Sequence, residues 1–342
     1  MATIRDVAHK ARVSIGTVSN VLNGSSVVKD ETRERVLKAI EELKYYPSAA
    51  ARSLSSQTTN TIGLVRTELR PQNKHIEPDP FVTNLIEGIS AAAVKTGTGL
   101  TFWTIPVGEQ EMDLYHRLVK GRQVDGLILF ALRKNDPRIR YLNEVGFPFV
   151  VFGHDGDDKA FSWIDVDSAY GVEISIDHLV ELGHHKIGYL SPPSEQYLAQ
   201  QRWAGFEQGL KKHGLEIPST FVFEGDFSEK SGQLGTHYLL DLPDAPTAIV
   251  CANDRMAFGA IRAIQSRHLR VGKDVSVVGF DDITLAQYIQ PSLTTVHQPT
   301  RHIAMELFNL LQQTIADGMT GRETNRMLKP TLSIRNSTGP LL

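Results

Sequence analysis

The sequence predicts an all-α head of three short helices, followed by an α/β body of two doubly wound parallel-sheet lobes. Apolar residues recur at helical spacing over roughly the first 45 positions. From Thr61 onward, short β-branched runs alternate with amphipathic segments, and the same rhythm resumes after Trp163-Ile164-Asp165-Val166-Asp167. Strands spaced by helices indicate βαβ units and parallel sheets. At 342 residues the chain exceeds the usual size of one domain.

In the head, Thr3 precedes Ile4, Val7, Ala8 and Ala11, and Asp6 stands three residues later as its capping-box partner. A first helix over Ile4 to Ala11 follows. Arg12-Val13-Ser14 breaks the pattern, Ser14 is a suitable cap, and Val18, Val21 and Leu22 supply the apolar face of a second helix. Asn23-Gly24-Ser25-Ser26 reads as a loop, after which Val36, Ile40 and Leu43 mark a third helix to about Lys44, stopped by Tyr45-Tyr46-Pro47. Lys29 is a poor cap for that helix, and Asp30 is placed to move its start by one residue. Three small helices around one core form a helix-turn-helix module, which by helix count alone suits either DNA reading or protein interaction.

In the body, strands are expected at Ile62–Val65, Thr101–Trp103, Gly126–Phe130, Ile187–Leu190, Thr247–Cys251 and Val275–Gly279, with helices at Leu85–Val94 and Leu114–Val119. Residues 66–84 read as a long loop at a cleft mouth, from which Asp79 and Phe81 are candidates for ligand choice or for simple loop closure. Open α/β sheets bind ligands beyond the carboxyl ends of their strands. That rule selects His154-Asp155, Asp167, Asn253-Asp254 and Asp281-Asp282, although strand-end Asp and Asn also cap following helices.

Composition narrows the function. Hydrophobic residues at 41% and charged residues at 22% are ordinary globular values, and no apolar run approaches the ~18 residues of a membrane span. The N-terminus has no apolar signal core, so a cytoplasmic location is expected. The single cysteine, Cys251, excludes a disulfide framework within one chain. Residues 1–57 hold nine Lys/Arg and six Asp/Glu, a net +3, whereas the whole chain is −3; the remainder is therefore −6. A mildly basic head on an acidic body fits a local nucleic-acid contact. His184-His185 and His154–Asp158 lack metal-ligand spacing, and no GxSxG, HExxH or complete phosphate loop occurs. No metal, no cofactor and no enzymatic activity are expected.

The strings Thr3-Ile4-Arg5-Asp6-Val7-Ala8, Val13-Ser14-Ile15-Gly16-Thr17-Val18-Ser19-Asn20-Val21-Leu22-Asn23, Thr32-Arg33-Glu34-Arg35-Val36 and Tyr46-Pro47-Ser48-Ala49-Ala50-Ala51-Arg52-Ser53-Leu54 closely resemble the DNA-binding head of the lactose/galactose (LacI/GalR) repressor family. The physics agrees. Ile15, Gly16 and Asn20 lie on the face of the second helix opposite Val18, Val21 and Leu22, where side chains reach base edges. Asn20 suits adenine and Ile15 a thymine methyl, while Gly16 brings no side chain. Relatives often carry Arg where Asn20 stands, so a different operator is implied. Ser14, Thr17, Asn23 and Arg33 are placed for phosphate contact, and Thr3 joins the DNA-facing candidates.

The run from Pro47 to Leu54 has helix formers but is too short to be a stable isolated helix. The resemblance implies a hinge helix that folds in the minor groove, with Leu54 as the wedge and Ser48 and Ala51 beside it. A plain linker is the alternative.

In the body the resemblance extends to about residue 336 through Glu181-Leu182-Gly183-His184, Arg202-Trp203-Ala204-Gly205-Phe206, Gly225-Asp226-Phe227, Ala252-Asn253-Asp254 and Val278-Gly279-Phe280-Asp281-Asp282. It implies a periplasmic-binding-protein-like core with Arg202, Phe227, Asn253, Asp281 and Gln298 lining the effector cleft, and Asp167 as a further candidate. Carboxylates and amides bridge adjacent hydroxyls, Arg forks onto oxygens, and Phe stacks on an apolar sugar face.

The domains so expected are 1–46 (head), 47–60 (hinge) and 61–342 (effector binding and dimerisation). Lobe one takes about 61–164 plus 298–326, and lobe two about 165–297 plus 327–340. The expected function is a transcriptional repressor, a homodimer on a near-palindromic operator, controlled by a small ligand, with a sugar or glucoside inducer preferred. The alternatives are a repressor that needs a purine-type corepressor and, in another class, a sugar-binding transport component, which the head opposes.

Overall fold

The computed structural model describes residues 2–22, 25–45, 58–68, 79–154, 156, 161–216, 218–318 and 324–341. Asn23, Ser48, Ala51, Leu54 and Asp155 lie outside the described residues, as does most of the expected hinge. The chain divides into two units, Met1–Asn60 and Thr61–Leu342.

The first unit holds α1 (Ile4–Ala11), α2 (Ile15–Leu22) and α3 (Asp30–Glu42). Thr3 and Asp6 form the reciprocal capping box: Thr3 N donates to Asp6 Oδ2 at 2.7 Å, and Asp6 N to Thr3 Oγ1 at 3.4 Å. Helix α1 ends at Arg12, in the left-handed region at φ 53°. Ser14 Oγ then accepts from Thr17 N at 3.1 Å and starts α2. Val7, Ala8, Ala11, Val18, Val21, Val36, Ala39 and Tyr45 make the core.

Helix α3 does not shift its start: Asp30 is its first residue and Lys29 stays at the cap position, with no side-chain cap bond. The Lys29 backbone is extended, at φ −58° and ψ 142°, and its carbonyl already accepts from Thr32 N and Arg33 N, which fixes the boundary there.

The second unit contains two six-stranded sheets. The first has the order β11-β5-β4-β3-β1-β2, from Asn325–Leu328, Trp163–Val166, Phe149–Phe152, Gly126–Leu129, Thr61–Glu68 and Gly99–Pro106. All its pairings are parallel. The second runs β12-β10-β9-β8-β6-β7, from Thr331–Ser333, Thr294–His297, Ser276–Asp281, Ala248–Cys251, Ile187–Ser191 and Val222–Glu224. Only its edge strand β12 is antiparallel. The central strands are buried on both faces, as the β-branched runs require.

Each sheet carries an apolar cluster on either side. Helix Thr300–Asp317 packs on helix Pro80–Thr96 and on β3, β4 and β5, so this late segment belongs to the first lobe. Strand β11 pairs with the whole of β5, Asn325 opposite Trp163 and Leu328 opposite Val166. The first and third crossings between lobes therefore fall a residue or two after those expected at 165 and 327.

The loop expected over 66–84 is shorter at both ends. Strand β1 pairs with β2 as far as Glu68, and helix Pro80–Thr96 begins on an Asp79 cap with Pro80 at its first position. Among the described residues no helix is long and apolar enough to cross a membrane.

Candidate functional site

In the head, α2 turns Val18 and Val21 inward and leaves Ser14, Ile15, Gly16 and Asn20 exposed, with Thr17 half-buried. The 3.6-residue period puts the last three exposed positions, 15, 16 and 20, on one face. Ile15 is 45% exposed, an apolar side chain held in water on a helix whose other apolar residues are packed. A Cβ added at Gly16 would meet only Ser14 Oγ, at 3.7 Å, so the head itself does not require glycine there. Thr17 Oγ1 is 2.9 Å from Ser14 Oγ, which ties two of the phosphate-contact candidates together. Arg33 Nη2 donates to the Ser25 carbonyl at 2.6 Å and so also holds the loop before α3. Thr3 is exposed but engaged in its capping box.

In the body, four candidates stand directly after strands of the second lobe or at its border. Asp281 ends β9, Gln298 follows β10, Asn253 follows β8, and Asp167 follows β5. Asp281 is buried and receives a 2.7 Å hydrogen bond from Gln298 Nε2. Burial pushes its carboxyl well above the ordinary carboxylate range, the neighbouring Asp254 adds to the rise, and the Arg202 guanidinium opposes it. Asp79, from the first lobe, also acts on Asp281 as a like charge, so the two candidates lie within electrostatic reach of each other. Asp79 keeps a local duty as well, since its Oδ1 accepts from Phe81 N at 3.0 Å.

Arg202 lies in helix Tyr197–Lys212 with its guanidinium 3.7 Å from the centre of the Phe280 ring. Its Nη1 donates to the Ala252 carbonyl, and its Nε is buried with no hydrogen-bond partner. Burial lowers the basicity of Arg202, against which the Asp281 charge acts most strongly, with Tyr189, Asp165 and Asp254 contributing.

Phe227 sits at φ 68°, a strained backbone for a non-glycine residue, and Asn253 Nδ2 donates to its carbonyl at 3.1 Å. Asn253 Oδ1 caps helix Asp254–Ser266 through Met256 N at 2.9 Å, so this amide shapes the site while it starts a helix. Asp167 likewise caps helix Ser168–Glu181 through Tyr170 N at 2.9 Å. Phe81 packs toward the first-lobe core, its ring 5.7 Å from that of Phe152.

His154 stacks on Trp163, with centroids 4.6 Å apart, and places Nδ1 at 2.7 Å from Asp165 Oδ2. Gln201, from the second lobe, approaches the same imidazole at 2.9 Å. His154 is among the residues that the strand-end rule selects; Trp163, Asp165 and Gln201 are not. An acid inside a strand between apolar neighbours was the available signal for Asp165; nothing local marks Gln201.

Of the neighbouring acids that the strand-end rule selected, Asp254 is turned into the second-lobe core. It accepts from Thr295 Oγ1 at 2.5 Å and from Ile283 N at 2.8 Å. Asp282 binds Arg335 at 2.6 Å and Ser333 at 2.9 Å.

A three-helix head with an exposed helix face, joined to two α/β lobes that bury charged residues such as Asp281 and Arg202 at or near strand ends, is the architecture of a ligand-responsive DNA-binding regulator. Comparison with known proteins places it further. Residues 3–48 match the model of bacterial regulatory proteins of the lacI family, and residues 176–338 match a periplasmic binding protein-like domain. The HTH-type transcriptional repressor PurR of Aliivibrio salmonicida is 35% identical over 318 residues, covering 93% of each chain. The HTH-type transcriptional regulator CelR of Thermobifida fusca is 34% identical over 337 residues, covering 98% of each. Among solved structures, a transcriptional regulator CelR–cellobiose complex superposes with a TM-score of 0.75 at 32% identity, covering 98% of this chain and 100% of that one. A lac repressor dimer bound to operator and the anti-inducer ONPF superposes at 0.85 with 30% identity, covering 99% of each. The chain belongs to the lacI family of bacterial transcriptional regulators.

Proposed function

We propose that this regulator is a cytoplasmic repressor that binds a near-palindromic operator as a homodimer and is released by a sugar or glucoside held in the inter-lobe cleft. A single recognition helix reads few base pairs, so useful selectivity needs two heads related by a two-fold axis. Asn20 and Ile15 would read base edges, with Ser14, Thr17, Asn23 and Arg33 on phosphates and Leu54 in the minor groove.

The observation that carries the effector reading is the polar set around Arg202. A buried arginine with an unpartnered Nε, a buried Asp281 held by Gln298, and Phe227 beside the Asn253 amide combine charge-assisted donors and acceptors with one aromatic face. Such a set suits adjacent hydroxyls on a ring with one apolar side. The cellobiose complex of the structural relative supports the same ligand class.

Mobility shift with a library of symmetric operators, at fixed salt, tests this reading with and without cellobiose, a panel of other sugars, and hypoxanthine. The expected result is one preferred palindrome, released by a sugar. Tightening by hypoxanthine, with no release by sugars, replaces the inducer by a purine-type corepressor. Absence of any operator preference overturns the reading as a whole.

A further inference from the structure

Helix Tyr197–Lys212 of the second lobe meets the first lobe at two places. At its start, Tyr197 N donates to the Leu132 carbonyl at 3.2 Å, and Gln196 forms an antiparallel bridge with Arg133. One turn further on, Gln201 Nε2 lies 2.9 Å from His154 Nδ1, 3.3 Å from His154 Nε2, 3.5 Å from the His154 carbonyl and 3.5 Å from Asp165 Oδ2. The other end of the same amide, Oε1, is buried and has no hydrogen-bond partner.

Chemistry fixes which way this amide points. Turned over, its oxygen would face a carbonyl and a carboxylate, two acceptors, so the NH2 must point to the first lobe.

The bridge is incompletely matched. His154 Nδ1 is 2.7 Å from the Asp165 carboxylate, a charged acceptor that favours a proton on that nitrogen. A protonated Nδ1 cannot also accept from Gln201, whose hydrogens are then left with His154 Nε2 at 3.3 Å and the two acceptors at 3.5 Å, all of them long contacts. A contact of this kind holds the lobes weakly and is sensitive to what its free acceptor meets. Arg202, the next residue, carries the unpartnered Nε, and the Trp163 indole under His154 carries another unpartnered buried nitrogen. Three buried polar atoms without partners, on Trp163, Gln201 and Arg202, thus lie on or beside the Gln201–His154 contact between the lobes.

We propose that Gln201 is an inter-lobe clasp: its amide NH2 grips His154 and Asp165, and its unpaired carbonyl oxygen faces the ligand side of the joint. Its role in regulation rests on the cleft being the effector site; its role in holding the lobes does not. A hydroxyl donated to Oε1 pins the amide in the orientation that bridges the lobes, so ligand occupancy and closure reinforce each other. Gln201 acts here as a positioning residue.

The test uses full-length protein with spin labels at K134C and K230C, positions on opposite lobes beyond the ends of β3 and β7, diluted with unlabelled protein. Cys251 is buried and stays unlabelled. Gln201→Met keeps the side-chain shape without the amide; Gln201→Glu keeps an oxygen and brings a second carboxylate to Asp165. Without ligand, Q201M should shift the open-to-closed ratio toward open by about fivefold, the worth of one ordinary hydrogen bond, and Q201E by more. Unchanged distance distributions in both variants would overturn the clasp. Titration with cellobiose then tests the other end: binding weakened in Q201M by more than its shift in the open-to-closed ratio accounts for, about tenfold in all, supports the carbonyl contact, and weakening no greater than that shift overturns it. If wild-type protein binds none of the sugars in the panel or hypoxanthine, the effector reading fails, while the ligand-free distances still decide the clasp.

Discussion

At the scale of single residues, the acids behind the cleft are held in a protonation state that solvent would not give them. Burial pushes the Asp254 carboxyl up to about 7, against the hydrogen bonds from Thr295 and Ile283 that favour its charge. In the unfolded chain the same group ionises near pH 4. Between those values the folded state binds more protons than the unfolded one, so this group's contribution to stability is full below about pH 4 and is lost as pH rises toward 7. Asp254→Asn removes the titration and keeps the shape: the amide oxygen can accept from Ile283 N while its NH2 donates to Thr295 Oγ1. Denaturant midpoints measured from pH 5 to pH 8 should fall less steeply in D254N than in the wild type. Equal slopes would show that Asp254 is already ionised in the folded protein at pH 5.

At the scale of elements, the boundary of α3 gives a second expectation. Lys29 occupies an extended cap position without a side-chain bond, and only the charges of Asp30 and Glu31 in the first turn complement the helix dipole. Lys29→Ser should supply the missing acceptor and stabilise the head by about 1 kcal/mol, seen as a higher melting temperature of the head transition in the DNA-free protein. No change would mean that the acidic first turn already satisfies the exposed amides. The same comparison shows what was legible from sequence. The Thr3–Asp6 box and the Ser14 cap are interactions within three residues, and pattern alone places them. The interior strands β1, β3, β5, β6, β8 and β9 follow from their apolar, β-branched runs, because such strands are buried on two faces, whereas the short edge strands β7, β11 and β12, only partly buried, carry no such run. The start of helix Pro80–Thr96 is also written locally, in the Asp79 cap and Pro80 at the first position, but the Pro-rich run before it masks that signal. By contrast, Gln201 and His154 stand 47 positions apart and meet only because two lobes fold against each other. Arg138 is similar: it is fully buried and bonds Asp136, Thr67 and the carbonyls of Phe130 and Ala131, in a segment with no periodic signal.

At the scale of the whole molecule, the chain crosses between lobes three times, after β5, after β10 and between β11 and β12, which leaves the lobes free to close about these segments without breaking either sheet. Closure can control the head only if ligand and operator favour different states of one equilibrium, and the two effects must then be reciprocal. If a sugar weakens operator binding by some factor, operator must weaken sugar binding by that same factor, expected at about 5- to 150-fold. Operator titrations with and without saturating sugar, and calorimetric sugar titrations with and without saturating operator, all at one salt concentration, should return equal ratios. Salt must be held fixed because phosphate contacts make DNA affinity fall steeply with ionic strength, whereas binding of an uncharged sugar does not share that dependence. Unequal ratios would show that sugar and operator do not act through a single closure equilibrium. A ratio of one in both directions would show that the cleft ligand leaves the head unaffected, and control of the operator would then have to reside outside the cleft.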